Sequence, residues 1–208
     1  MTHSVTFNSK TIENYGLILE SVELGSPVPQ TSMVKIPGRN GVLDYSEAIA
    51  GYVTYESRPM KFSLVRGGTL AQIDETKEAF LRDIHGQLVD IDLEWQDGYY
   101  HGRANVTVKD YSPNFLRLEV NVTADPYRLA ETVSVVSLAA GSNTVTIAGA
   151  LPVVPEIITT EQTIITFGTS SFTVTAGTHK IPGIVLMPGN NTITVTKAAQ
   201  LSFTEGYL

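Results

Sequence analysis

The chain has 208 residues, a length that suits one large β domain or two small ones. Its 42% hydrophobic and 17% charged residues exclude a disordered chain, and no apolar run approaches the roughly 20 residues of a membrane-spanning helix. The net charge of −7 argues against a dedicated nucleic-acid-binding protein, and the absence of cysteine excludes disulfides, thiolate zinc sites and cysteine nucleophiles.

The first segment with a demanding backbone runs from Lys35 to Ser46. Two turn-forming pairs, Pro37-Gly38 and Asn40-Gly41, surround Arg39 there. They predict a tight loop between strands, from which the guanidinium could clamp a carboxylate through two parallel hydrogen bonds. A surface turn with an incidental arginine explains the same residues, so both interpretations stay open.

One amphipathic helix is predicted in the first half of the chain. From Thr69, apolar side chains and the stem of Lys77 recur at three- and four-residue spacing. Thr69 and Gln72 are placed as a capping box, and Gly86 follows the end. The residues of this apolar stripe are Leu70, Ile73, Lys77, Phe80, Leu81 and Ile84. Strands with alternating apolar positions flank the helix, at 60–64 and 116–122, so the helix is expected to pack on a sheet.

The densest acidic run contains Asp90, Asp92 and Glu94, which a strand would place on one face. Such a row could hold a hard cation or act as an acid/base pair. A solvated strand face is favoured, because no fourth oxygen ligand accompanies the row. The four histidines match no common metal spacing, so no metal or cofactor is expected; they are His3, His85, His101 and His179.

Three aromatic residues, Trp95, Tyr99 and Tyr100, flank the turn signal Asp97-Gly98. They could form an exposed platform for a sugar. A hairpin with cross-strand aromatic pairs is the favoured alternative.

The chemistry of the chain changes near Asp125-Pro126, and we place a domain boundary between residues 130 and 131. Residues 1–130 hold 12 of the 14 Lys and Arg and 17 of the 21 Asp and Glu. Residues 131–208 hold 15 threonines, mostly alternating with Val, Ile and Phe, and turn residues at intervals of about ten. We therefore predict a mainly β protein: an N-terminal β-sandwich-like domain with one helix and a hairpin, then a small C-terminal β-sandwich or barrel.

Several motifs, taken in order, resemble the distal tail proteins, or baseplate hubs, of siphophages and related prophages. The N-terminal motifs are Thr6-Phe7-Asn8-Ser9, Asn14-Tyr15-Gly16-Leu17-Ile18-Leu19 and the signature-like Ile36-Pro37-Gly38-Arg39-Asn40-Gly41-Val42-Leu43-Asp44. The helix after Gly67-Gly68 and the segment Thr123-Ala124-Asp125-Pro126-Tyr127 follow. The C-terminal motifs are Pro152-Val153-Val154-Pro155-Glu156-Ile157 and Met187-Pro188-Gly189-Asn190-Asn191-Thr192-Ile193.

The resemblance implies a structural, non-catalytic protein at the distal end of the virion tail, made in the cytoplasm of the bacterial host. Six copies would form a ring that joins the tail tube protein to the tail-tip protein, offers a place for a receptor-binding protein, and lets DNA pass without specific binding. Residues 1–130 would form the ring, and residues 131–208 would form a galectin-like sandwich. Because this second region is short, its sandwich could be a reduced one.

For a ring-forming tail protein, the loop Ile36–Asp44 is the predicted ring contact, with Arg39 as its charged anchor. A turn that only stabilises the fold is the alternative for this loop. The alternative for the whole protein is a carbohydrate-binding module for cell-wall polysaccharide, using the aromatic residues Trp95–Tyr100 or the threonine-rich sandwich. An enzyme built on the acidic row is a third hypothesis, less favoured than either.

Overall fold

The structure is a computed structural model that describes residues 3–208. The chain divides into two compact units, one ending at Pro126 and the other spanning Tyr127–Leu208. Strands predominate, with one α-helix, so the predicted mainly β fold is confirmed. No helix within the described residues is long and apolar enough to cross a membrane.

The first unit is built around one antiparallel sheet. Its strands are β1 (Val5–Phe7), β2 (Lys10–Thr11), β3 (Ile18–Leu24), β4 (Met33–Val34), β5 (Leu43–Asp44), β6 (Arg58–Gly67), β7 (Leu88–Leu93), β8 (Tyr99–Ser112) and β9 (Phe115–Ala124). Seven of them follow the order β2-β1-β7-β8-β9-β6-β3, and β4 and β5 form a separate hairpin. A 3₁₀ turn at Ile12–Tyr15 leads into β3.

Alternation along β6 and β9 gives the sheet one dry face. The buried positions are the predicted ones: Met60, Phe62 and Leu64 on β6, and Leu116, Leu118, Val120 and Val122 on β9. The polar residues between them form the opposite face, because successive side chains of a strand alternate between its two sides.

The helix α1 (Leu70–Ile84) packs against the dry face, as predicted. Both halves of the capping box form: the Gln72 backbone N–H donates to Thr69 Oγ1 at 3.5 Å, and the Thr69 backbone N–H donates to Gln72 Oε1 at 3.0 Å. Phe80 packs edge-on against Phe7 and Tyr15 in the core. Leu70 departs from the predicted apolar stripe, since it lies in the first turn and is exposed.

The second unit is a β-sandwich. Its strands are β10 (Arg128–Leu129), β11 (Ser134–Leu138), β12 (Gly141–Ile147), β13 (Glu156–Thr159), β14 (Thr163–Phe167), β15 (Ser170–Val174), β16 (Gly177–Lys180), β17 (Gly189–Val195), β18 (Ala199–Phe203) and β19 (Gly206–Tyr207). Two four-stranded sheets, β11-β18-β13-β16 and β12-β17-β14-β15, enclose a common core. Of the two predicted C-terminal architectures, the structure therefore has the sandwich and not the barrel.

Two similar turns fix the ends of β12 and β17. Asn143 binds the backbone N–H and C=O of Ala139, and Asn191 binds the same two groups of Met187. In both turns the asparagine Nδ2 also donates to the carbonyl of the glycine two residues earlier. The segments 138–147 and 186–195 are accordingly alike in sequence as well as in structure.

The observed boundary lies slightly before the predicted one. Residues 127–130 belong to the second unit, because Arg128 and Leu129 pair with Tyr207 and Gly206 at the far end of that unit. The prediction followed the fall in charge density, whereas the pairing of β10 with β19 sets the actual limit.

Candidate assembly interface

A long excursion leaves the sheet between β3 and β6, and we call residues 26–57 the arm. Backbone hydrogen bonds tie its two sides together: the Glu56 N–H donates to Val28 O, and the Gln30 N–H donates to Thr54 O, both at 2.8 Å. Further out, the Tyr45 N–H donates to Ser32 O at 2.8 Å. The arm is therefore an ordered antiparallel extension of the chain.

The tip of the arm is the predicted loop. Strands β4 and β5 pair there, with Val34 opposite Leu43. The Arg39 N–H donates to Ile36 O at 3.1 Å to close a turn. Gly38 and Gly41 have φ values of 81° and 79°, in the left-handed region that side-chain-bearing residues rarely adopt. The two glycines therefore set the shape of the tip.

The arm has no core of its own. All of its residues are described, and none of them is buried. Eight of the seventeen large apolar side chains exposed in the described chain belong to it: Val28, Met33, Val34, Ile36, Val42, Tyr45, Ile49 and Val53. Burial of such exposed apolar side chains against another surface would be favourable, so the arm is a candidate interaction site.

Two charged side chains of the tip, Arg39 and Asp44, differ in their contacts within the chain. Among the described residues, no carboxylate lies within ion-pair distance of the Arg39 guanidinium. The Asp44 carboxylate instead accepts hydrogen bonds from the side chain and the backbone N–H of Ser46, which lower its pKa. Arg39 is thus available to a carboxylate of another molecule, and Asp44 stabilises the arm.

A groove lies beside the tip. It has a volume of about 600 Å³, and Tyr45, Ala48 and Ile49 supply much of its apolar wall. Ile49 is fully exposed at its edge. The groove and the exposed side chains give the arm a surface that a complementary partner can cover.

The sugar platform predicted from Trp95, Tyr99 and Tyr100 is not assembled. The turn between β7 and β8 forms the favoured hairpin, with Tyr99 opposite Asp92. Tyr100 is only 3% exposed; its hydroxyl accepts from Arg58 Nη1 and donates to Gln96 Oε1, both at 3.0 Å. Trp95 stacks edge-on with His3. Adjacent residues of a strand point to opposite faces, so Tyr99 and Tyr100 cannot share one platform.

Asp90 and Glu94 of the acidic row likewise have separate partners. Asp90 contacts His101 Nδ1 at 2.6 Å, whereas Glu94 lies beyond the end of β7 and accepts from the Ser4 N–H at 2.9 Å. Over residues 3–208 the structure contains no group of three His, Asp or Glu side chains arranged to hold a metal ion.

The polar face of the sheet carries cross-strand ion pairs that join β3, β6, β8 and β9. Arg117 contacts Glu20 at 2.8 Å and Asp110 at 2.7 Å, and Glu119 contacts Lys61 at 3.3 Å and Lys109 at 3.1 Å. Hydrogen bonds from Asn121 and Lys109 lower the pKa of Glu119 to about 2. Each of these cations therefore already has a carboxylate partner within the chain.

The sequence predicted the loop at the tip of the arm, but it did not predict how long the arm is. Pro-Gly and Asn-Gly pairs are strong local signals, and they marked residues 37–41. The apolar residues of the arm show no regular period, so no pattern separated them from core residues. The ion-pair network was also missed, because its partners are far apart in sequence.

Comparison with known proteins identifies a solved structure of similar fold. No family model matches the chain, and no curated protein sequence matches it. The chain is similar to the crystal structure of Dit (gp 19.1) of phage SPP1, described as a paradigm of the hub adsorption apparatus in phages that infect Gram-positive bacteria. The TM-score is 0.76 at 16% sequence identity, and the match covers 100% of both chains. The resemblance to distal tail proteins predicted from the motifs is thus confirmed in the fold.

Proposed function

We propose that the protein is a structural component of a bacteriophage tail, the hub at its distal end. The observation that carries this proposal is the likeness in fold to SPP1 Dit over the full length of both chains. Such a protein acts by presenting surfaces to its neighbours, and it performs no reaction.

Six copies form a ring in this proposal, and the arm supplies contacts between neighbours. Its exposed apolar side chains favour burial against another copy, since they have no core within their own arm. Arg39, free of an internal carboxylate, forms a bidentate ion pair across the contact. In a closed ring every copy has equivalent neighbours, so the contact surfaces of every copy are covered.

The ring joins the tail tube protein to the tail-tip protein, offers a site to a receptor-binding protein, and lets DNA pass through its centre. Passage without binding requires few free cations along the channel, because phosphate contacts give nonspecific affinity. Three cations of the polar face support this role, since Arg117, Lys61 and Lys109 are neutralised by carboxylates of the same chain. Arg103 lies on the same face and donates to the Gly86 carbonyl instead of to a carboxylate. We therefore assign this face to the channel.

Electron microscopy of the purified protein tests the proposal. We expect ring-shaped particles with six-fold symmetry and a central opening. Particles with another symmetry, or without an opening, would contradict the hub. A ring whose channel is lined by unpaired Lys and Arg would reject the assignment of the polar face alone.

A further inference from the structure

The tip of the arm contains the one Asn-Gly pair of the sequence, Asn40-Gly41. Asparagine is a thermolabile residue, because the backbone nitrogen of the following residue can attack its side-chain carboxamide and release ammonia. Glycine in the following position favours this attack, since it has no side chain that shields the nitrogen or restricts the backbone. The pair is therefore a candidate site of chemical modification.

Most asparagines of the chain are held by hydrogen bonds. Six of the nine use their carboxamide in this way within the described chain, and they are Asn8, Asn114, Asn121, Asn143, Asn190 and Asn191. Such a carboxamide must give up its hydrogen bonds before it can turn towards its own backbone. The side chain of Asn40 is exposed, and its carboxamide has no hydrogen-bond partner among the described residues.

Two other asparagines, Asn14 and Asn105, also have carboxamides without a partner in the described chain. The residues that follow them are restrained, however. Tyr15 lies in the 3₁₀ turn and its side chain is buried. The Val106 N–H donates to His85 Nδ1 at 3.1 Å. A backbone nitrogen that is held in this way is poorly placed to attack the preceding side chain.

The backbone nitrogen of Gly41 has no such restraint. Its N–H donates to no acceptor of the described chain, and apart from its chain neighbours no atom lies within 4 Å of the position that a Cβ would occupy. Lys35 and Arg39 line a common cavity of about 440 Å³ with Asn40 and Gly41. Because the attacking nitrogen loses its proton, nearby cations stabilise the negative charge that develops on it.

We propose that Asn40 is a site of spontaneous deamidation in the chain before assembly. The Gly41 nitrogen gives up its proton, bonds to Asn40 Cγ and displaces the carboxamide nitrogen as ammonia, which leaves a cyclic imide. Water then adds to one carbonyl carbon of the imide and breaks its bond to the ring nitrogen. The product is aspartate when the bond to Cγ breaks, and isoaspartate when the original peptide bond breaks. Water is the only co-reactant, and no group is oxidised or reduced.

Deamidation changes the charge beside the proposed ring contact. The new carboxylate is ionised at neutral pH and directly follows Arg39 in sequence. It therefore competes with the carboxylate of a neighbouring copy for the guanidinium. Isoaspartate also adds a methylene group to the main chain of the tip. This consequence for assembly rests on the proposed function, whereas the chemistry of Asn40 does not.

Peptide mapping by mass spectrometry tests the modification. The full-length protein is stored at neutral pH and physiological temperature, and the acid and amide forms of each asparagine peptide are measured at intervals. We expect Asn40 to be converted at least about tenfold faster than Asn14 or Asn105, because Gly41 leaves its nitrogen unshielded. Asn40→Gln is the matched control, since glutamine keeps the carboxamide but must close a larger ring. Conversion of Asn40 no faster than that of Asn14 would overturn the inference.

Sedimentation of fresh and stored protein tests the consequence. We expect stored wild type and fresh Asn40→Asp to need up to about tenfold more protein for assembly, the effect of losing the Arg39 ion pair. Stored Asn40→Gln should assemble as its fresh form does. Equal assembly of Asn40→Asp and wild type would overturn the consequence for the ring. Fresh wild type that forms no ring would contradict the proposed function, whereas the rate of conversion would still decide the modification.

Discussion

Arg39 is an exposed side chain whose guanidinium contacts no carboxylate of the described chain, so its removal costs the folded monomer little. We expect Arg39→Ala to raise the concentration needed for assembly by about tenfold, the loss of about 1.4 kcal/mol per contact. The free energy of unfolding of the monomer should change by no more than roughly 0.5 kcal/mol. Analytical ultracentrifugation across a concentration series measures the first effect, and calorimetry the second.

The control for Arg39 is Arg82→Ala. Arg82 is also exposed, with 73% of its side chain accessible, but it lies on α1, outside the arm. Its removal should leave assembly unchanged. Equal loss of assembly and of monomer stability in Arg39→Ala would instead favour the loop as a turn that only stabilises the fold.

Glu205 is a buried carboxylate, 9% exposed, that holds a turn of the second unit. It accepts from the Ala148 N–H at 3.3 Å, the Gly149 N–H at 3.1 Å and the Tyr207 hydroxyl at 2.8 Å. Glu205→Ala leaves these donors without a partner, and we expect a loss of about 1–3 kcal/mol in unfolding free energy. Urea denaturation measures it. Glu161→Ala, which removes an exposed ion pair with Lys197, should have almost no effect.

At the scale of elements, α1 depends on its cap. Thr69→Ala removes the side-chain acceptor for the Gln72 N–H, and we expect it to destabilise the first unit by about 1 kcal/mol. Glu78→Ala, on the exposed side of the same helix, provides the comparison. Chemical denaturation followed by circular dichroism distinguishes the two, and an equal loss in both variants would argue against the capping role.

The polar face of the sheet gives the first unit a pH dependence. The pKa of Glu119 falls from 4.5 to about 2 in the folded chain, so its ion pairs contribute full stability above pH 4.5 and lose it as the pH falls towards 2. Glu119→Gln should flatten this part of the stability curve, which thermal melts at stepped pH measure. An unchanged slope would show that other carboxylates determine acid unfolding.

Local patterns predicted the elements whose burial follows a simple period. The helix was found because capping residues and a 3.6-residue period coincide from Thr69 onward, and β6 and β9 because their apolar residues alternate. The burial of Tyr100 was not predicted, because its sequence neighbours resemble an exposed cluster. Its contact with Arg58, 42 residues away, places it in the core, and no local pattern carries that information.

At the scale of the whole molecule, the two units have separate cores, one between the sheet and α1 and one between the two sheets of the sandwich. The change in charge and threonine content predicted this division, but the pairing of the two ends of the second unit moved its limit to Tyr127. The arm belongs to neither core. Its exposed apolar residues fit the proposed assembly, and the pattern of a single sequence carries no information on such contacts.

The proposed hub requires that this chain assembles into a ring of six through its first unit. Light scattering after size exclusion, at micromolar and tens-of-micromolar concentration, tests it most directly. Six copies of the 22.5 kDa chain predict a species of about 135 kDa. A species of 22.5 kDa at both concentrations would contradict the claim.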